Sequence, residues 1–426
     1  MQPTTLIDKL FDFIEQSPTP YHAVRHVCSL LEKSGFTDVR SHADEADAFS
    51  SRSFLRLGRG AVLAFDPGDR SFSDGVTIVA AHTDSPALRI KEQAIKQKSG
   101  AIYAPIEIYG GPIRSTWLDR ELSVVGITLL TSGEARLFRL PFLSVIPNAA
   151  IHLNREINEG FSYNPQDHLN AIMGAATGED GSRTEAFFAS VAESVSAAPE
   201  DLSVVEAYLA EPTRGSFLGF ERSLFAAPRI DNLAGCFTNL RAFLDAPAGG
   251  PRALALYNHE EVGSQTGEGA LSGQLDLLLE RVFRASELTP QEAFKARERS
   301  LLVSNDATHG LHPSYVARYE PDYSPVLGGG PVVKINANYR YATTLDTHHA
   351  FASACRRAGV TLQRYSTRAD QRSGSTVGPL SWGRTGVPSV DVGIPIWAMH
   401  SVRESAGTND VLAMTQALSA LLAGTS

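Results

Sequence analysis

Apolar positions recur at helical spacing from the start of the chain. Leu6, Leu10, Phe13 and Ile14 mark one helix, and Val24, Val27, Leu30 and Leu31 mark a second. Thr19 followed by Pro20 predicts the N-cap and first position of that second helix, and Gly35 predicts its end. Two short apolar runs follow, Ala61–Phe65 and Val76–Ala81, the latter apolar enough to be a buried strand. From about Ile90 to Ala227 the pattern changes to short β-type runs separated by Gly, Pro and Ser: Ala101–Tyr109, Leu122–Thr131 and Ala135–Arg139, with a turn at Thr131-Ser132-Gly133. Residues 171–203 read as a loop and then a helix. Past Asp231, strands and helices alternate again. Helices are predicted over Asn232–Leu244, near Leu271–Phe283, and over His348–Arg357 and Val411–Leu422. Strands are predicted over Ala253–Tyr257, Leu301–Ser304 and Val332–Asn336. Such alternation implies an α/β domain built on a helix-wrapped sheet, into which the β-rich middle stretch is inserted.

Composition narrows the function classes. With 426 residues, 43% of them hydrophobic and 20% charged, the chain can bury a sizeable core. Its net charge of −9 argues against nucleic-acid binding, which needs a basic face. The three cysteines, Cys28, Cys236 and Cys355, are too few and too scattered for a disulfide framework. No segment resembles a signal peptide or a membrane span, so a cytoplasmic protein without a membrane partner is expected. GxxxxGK[ST] and GxSxG are absent, and HExxH fails because Gly263 stands where the second histidine is required.

Five segments remain that put metal-binding side chains at or just past the ends of predicted strands, where ligands gather in open α/β sheets. They carry His82 and Asp84, Asp231, Glu260 and Glu261, Asp306, and His400. Each has an ordinary structural reading by itself: Asp231 as a helix N-cap, the paired glutamates as a solvated face, His82 as a capping histidine. Together, two histidines and three carboxylates can hold two divalent ions, zinc foremost with manganese or cobalt admissible. An adjacent Glu-Glu pair can then supply one ligand and one general base.

At these residues the chain resembles the aspartyl aminopeptidase family of dizinc metallopeptidases. The shared motifs run along nearly its whole length: SPTPYHAV, AAHTDSPALRIK, YGGPIRSTWLDREL, IPNAAIHLNRE, RIDNLAG, NHEEVGS, SNDATHGLHPSY, GPVVKINANYRYAT, SGSTVGP and AMHSVRE. The resemblance implies a mixed central sheet between helices, with a catalytic domain from residues 1–90 plus 228–426 and an inserted β-rich oligomerisation or lid domain over 91–227. It places His82 and Asp306 on one metal and Glu261 and His400 on the other, with Asp231 bridging. Glu260 is expected as the general base, with Asp84 behind the first histidine as the second member of the catalytic group. His152 matches a histidine that reaches a neighbouring subunit's site, and His309 and Asn338 join it as substrate-binding candidates. The family assembles as a tetrahedral dodecamer, so a homo-oligomer is expected. The substrates implied are peptides with a free N-terminus, Asp or Glu preferred. One departure bears on that preference: Asn338 stands where eukaryotic members carry a lysine, and an amide brings no charge to a carboxylate. A dizinc aminopeptidase for neutral N-termini is therefore the first alternative, and a non-catalytic shell protein the second.

Overall fold

The computed structural model describes residues 3–41, 49–247 and 249–424. The chain divides into two compact units, one of residues 1–84, 215–399 and 404–426, the other of residues 85–214 and 400–403.

The first unit is built on a nine-stranded mixed sheet. Its order is Thr37–Asp38, Ser53–Leu57, Ala61–Asp66, Arg252–Tyr257, Thr77–His82, Leu301–Asn305, Ser389–Gly393, Val332–Lys334 and Gln363–Tyr365. The inner strands read as unbroken apolar runs because both faces are covered. Alternate residues serve the two sides. Val79 and Ala81 pack with Leu254 and Leu256 against helices Pro3–Glu15, Pro20–Lys33, Ile230–Asp245 and Thr408–Leu422. Ile78 and Ala80 pack with Ala253 and Ala255 against helix Gln274–Ala285. The second helix starts as its sequence predicts, with the Thr19 hydroxyl accepting the His22 N–H and Pro20 in the first turn. A smaller five-stranded sheet joins Ser216–Leu218, Leu224–Ala227, Glu404–Gly407, Pro395–Trp397 and Thr308–His309.

Register positions the chemistry. Strand Thr77–His82 runs parallel to Arg252–Tyr257, with His82 level with Tyr257, and parallel to Leu301–Asn305, with Ala80 level with Ser304. Residues just past these three strands, Asp84, Glu260 and Asp306, therefore leave the sheet at one edge.

The second unit is antiparallel and mostly one-sided, built around strands Ala101–Tyr109, Leu122–Leu130, Ala135–Ser144 and Leu202–Ala210. Val205, Ala207 and Leu209 alternate into a core shared with Phe187 and Val191 of helix Thr184–Ser194.

Most predicted elements are found with ends shifted by a few residues. Helix Leu345–Arg357 begins earlier than expected, at a Thr344 cap. Strand Val332–Lys334 stops short of Asn336. Several described elements had no counterpart in the pattern, among them strands Ser53–Leu57 and Leu202–Ala210, and strand Asn170–Ala175 occupies the start of the stretch read as a loop. Strand Ser389–Gly393 is fully buried but carries Ser and Asp, which break an apolar run. Helix Pro290–Arg299 buries only Ala296, so it has no apolar stripe to see, although Thr289, Pro290 and Glu292 form a capping box that signals it. Helix Val377–Thr385 opens with Gly and Pro.

Candidate metal centre and active site

His82 ends its strand with a ring that is 1% exposed. Its Nδ1 lies 3.0 Å from the main-chain oxygen of Asp84. A carbonyl only accepts, so Nδ1 carries a hydrogen and Nε2 is the nitrogen turned to the carboxylates. That nitrogen faces the Oδ1 atoms of Asp231 at 3.4 Å and Asp306 at 3.5 Å. Two carboxylate oxygens converging on a ring nitrogen in a buried place require positive charge between them, from a proton or a metal ion. The donor set fits a divalent ion: one ligand atom from each of His82, Asp231 and Asp306 lies within 4.8 Å of the others, and the same holds for His82, Glu260 and Glu261.

Titration behaviour expresses the same demand for positive charge. Burial opposes a charged His82, yet the bonds to Asp231, Asp306 and Asp84 raise its pKa well above the usual imidazole value. Burial pushes the Glu260 carboxyl up to about 8, with Asp306, Asp231 and Asp84 adding to the rise against His82. Burial works against the Lys334 ammonium, but Asp306 and its other neighbours raise its pKa, so it stays charged.

Each ligand candidate is fixed by its own element. Asp231 lies at the start of helix Ile230–Asp245, beside a cis peptide to Asn232, and its N–H donates to Glu404 Oε2 at 2.9 Å. Asn232 Nδ2 donates to the Asn305 carbonyl at 2.9 Å, tying that helix to the strand that delivers Asp306. The Asp306 N–H donates to Val392 O at 2.9 Å. Glu260 and Glu261 occupy a tight 3₁₀ turn entered through His259 at φ +64° and left through Gly263 at φ +98°. A Gly at the exit accepts that left-handed conformation without a Cβ penalty.

Asp84 touches two groups, the His82 ring and the glutamate turn. Its main-chain carbonyl is the nearer acceptor for the His82 ring, while its carboxylate stands at 3.4 Å from Nδ1. That carboxylate also accepts the N–H groups of Glu260 at 3.2 Å and Glu261 at 3.1 Å. One fully buried side chain thus braces the glutamate turn 176 residues later in the chain. The local sequence carries no signal for this, because it follows from the pairing of two strands.

The remaining candidates sit elsewhere. His400 falls in the second unit, in a left-handed conformation at φ +69°, with its Nδ1 donating to Gly111 O at 3.1 Å. His152 is exposed in the second unit. His309 is exposed on a short edge strand, its ring 5.9 Å from that of Tyr365. Asn338 is exposed, and its N–H donates to Asn336 Oδ1 at 2.9 Å. It lines a pocket of about 360 Å³ with Asn336, Arg340, Gln371, Arg372 and Ser373. The sequence reading missed Arg340 and Arg372. It also missed Lys334, which is 2% exposed and 3.6 Å from Asp306. The three cysteines are buried and free, and no described helix is long and apolar enough to cross a membrane.

Comparison with known proteins gives the family. A family model described as Aminopeptidase I zinc metalloprotease (M18) matches residues 13–422. A relative in Pseudomonas syringae pv. syringae, described as "Probable M18 family aminopeptidase 2", is 35% identical over 421 residues, which cover 97% of each chain. Among solved structures, one described as the cryo-EM structure of the Ape4 and Nbr1 complex superposes with a TM-score of 0.90 at 29% identity, over 99% of this chain and 86% of that one. The crystal structure of an M18-family aminopeptidase from Thermotoga maritima shares the fold with a TM-score of 0.87 at 21% identity, over 99% and 97% of the two chains. A structure described as the S. cerevisiae mApe1 dodecamer also shares it, with a TM-score of 0.81 at 22% identity over 97% and 95%. The chain therefore belongs to the M18 family of zinc metallo-aminopeptidases, enzymes that hydrolyse peptides.

Proposed function

We propose that the chain removes the N-terminal residue of peptides at a centre of two divalent ions, with acidic N-terminal residues preferred. The observation that carries the metal reading is His82 Nε2 facing two carboxylate oxygens in a buried place. In this reading His82 and Asp306 hold one ion, Glu261 and His400 the other, and Asp231 bridges. Zinc, when bound, supplies a Lewis acid for the scissile carbonyl and lowers the pKa of the attacking water. Glu260 takes the proton of that water and returns it to the leaving amine. Asp84 is a positioning residue: it holds the main chain of the Glu260–Glu261 turn, so that base and ligand keep a fixed separation. Burial of Glu260 among carboxylates keeps its proton affinity high, which suits a group that must accept and release a proton near neutrality.

The acidic preference is supported by the pocket beside Asn338. Arg340 and Arg372 line it together with Asn338, so cationic side chains stand near the position that lacks a charge. His309 and the exposed His152 are carried forward as substrate-facing groups, the latter offered to a neighbouring copy. The dodecameric relative supports a homo-oligomer of the same kind. Dipeptides beginning with Asp, Glu, Leu, Ala and Lys, compared by kcat/KM on zinc-loaded protein, test the preference. Asp and Glu are expected to lead, and a lead for Leu, Ala or Lys overturns the acidic reading while leaving the aminopeptidase assignment in place. Light scattering in solution tests the assembly.

A further inference from the structure

Lys334 ends the strand Val332–Lys334, and its side chain runs inside the protein with 2% exposure. A buried ammonium costs several kcal/mol of lost hydration unless the interior repays it. The interior offers three things. Nζ donates to the Ala307 carbonyl at 2.8 Å, stands 3.6 Å from Asp306 Oδ2, and lies 5.5 Å from the centre of the Tyr341 ring. Two of these groups belong to the two-residue segment Asp306-Ala307 that leaves the central sheet towards His82. The two oxygens of Asp306 are divided: Oδ1 faces His82 Nε2 and Oδ2 faces Lys334. A carboxylate held from behind in this way cannot rotate freely, and its front oxygen stays aimed at the place where a cation is required.

We propose that Lys334 is a positioning residue of the metal centre, which grips the Ala307 carbonyl and the outer oxygen of Asp306 and so fixes the orientation in which Asp306 binds an ion. The inference rests on the reading of Asp306 as a ligand. Groups that orient metal ligands typically change metal affinity by 10- to 100-fold when removed.

The test is zinc retention by the full-length protein, measured as zinc per subunit after equilibration with a graded series of chelators. Lys334→Met keeps the apolar stem and removes the ammonium. It is expected to release one zinc equivalent at roughly 10- to 100-fold lower chelator strength than the parent. Asp306→Asn is expected to weaken the same equivalent, and the double variant to be no worse than Asp306→Asn alone. That non-additivity separates positioning through Asp306 from general loss of structure. If Lys334→Met holds both equivalents as tightly as the parent, or more tightly, the proposal is overturned. If Asp306→Asn itself holds both, the ligand reading fails, and the role of Lys334 falls with it. Should circular dichroism show Lys334→Met unfolded, Lys334→Gln replaces it, since an amide can still donate to the Ala307 carbonyl. Zinc retention equal to the parent in that folded variant likewise overturns the proposal.

Discussion

Replacing Asp84 by Asn tests how the glutamate turn is held. Both carboxylate oxygens are in use: Oδ1 accepts from Glu260 N at 3.2 Å and Oδ2 from Glu261 N at 3.1 Å. Asn offers one oxygen and one NH₂ group, so one of the two backbone N–H groups meets a donor instead of an acceptor. The lost bond has a charged acceptor, and such bonds contribute about 1.5–3 kcal/mol. At about 1.36 kcal/mol per tenfold in rate, full transmission to the transition state lowers kcat/KM by roughly 10- to 150-fold. The His82 ring should keep its orientation, because its nearest acceptor is the Asp84 main-chain carbonyl, which the substitution leaves in place. Steady-state hydrolysis of an N-terminal Asp dipeptide at saturating zinc measures the effect. Asp84→Ala removes both acceptors and should lose more than Asp84→Asn. A kcat/KM for Asp84→Asn within about threefold of the parent, with zinc content unchanged, would refute the bracing role.

Three further outcomes follow from the same geometry. Glu260→Gln should keep its zinc yet lose roughly 10²–10⁴-fold in turnover, and full activity would remove Glu260 from the role of base. Chelation should abolish hydrolysis and lower the melting temperature, with zinc restoring both; ligand at a hundred times its Kd adds about 2.7 kcal/mol of stability to a one-site protein. Asp410 is wholly buried and accepts the N–H groups of Gly328 and Gly330 at 2.7 and 2.8 Å, yet burial pushes its carboxyl up to about 7. Below an unfolded value of about 3.9 both states hold the proton, and between about 3.9 and 7 only the folded state does. The stability tied to this group is therefore fully present at low pH and falls as pH rises to about 7. Melting temperatures at fixed zinc should show a smaller fall between pH 5 and 7.5 in Asp410→Asn than in the parent, and equal slopes would refute the assignment.

What the sequence determined by itself is the inventory and its grouping. The two-sided apolar runs, such as Val76–Ala81, could only be buried strands, and the change of texture near Ile90 marked a separate β-rich region. Acidic and histidine side chains just past strand ends pointed to a sheet-edge metal centre, because that reading needs only the local pattern and the rule that parallel strands end together. Tertiary structure alone decided which atoms meet. Strand register set His82 level with Tyr257, and that alignment lets Asp84 reach the backbone of a turn far along the chain. The inward course of Lys334 could not be read from VVKIN, since a lysine after two valines is as consistent with an exposed strand end as with a buried one. Strand Ser389–Gly393 was hidden for a related reason. Its Asp391 is acceptable inside only because Thr376 Oγ1 and the Ala342 N–H, each at 2.5 Å, converge on the carboxylate. Local pattern records which residues prefer burial; whether a charge is repaid there depends on partners that only the folded chain brings together.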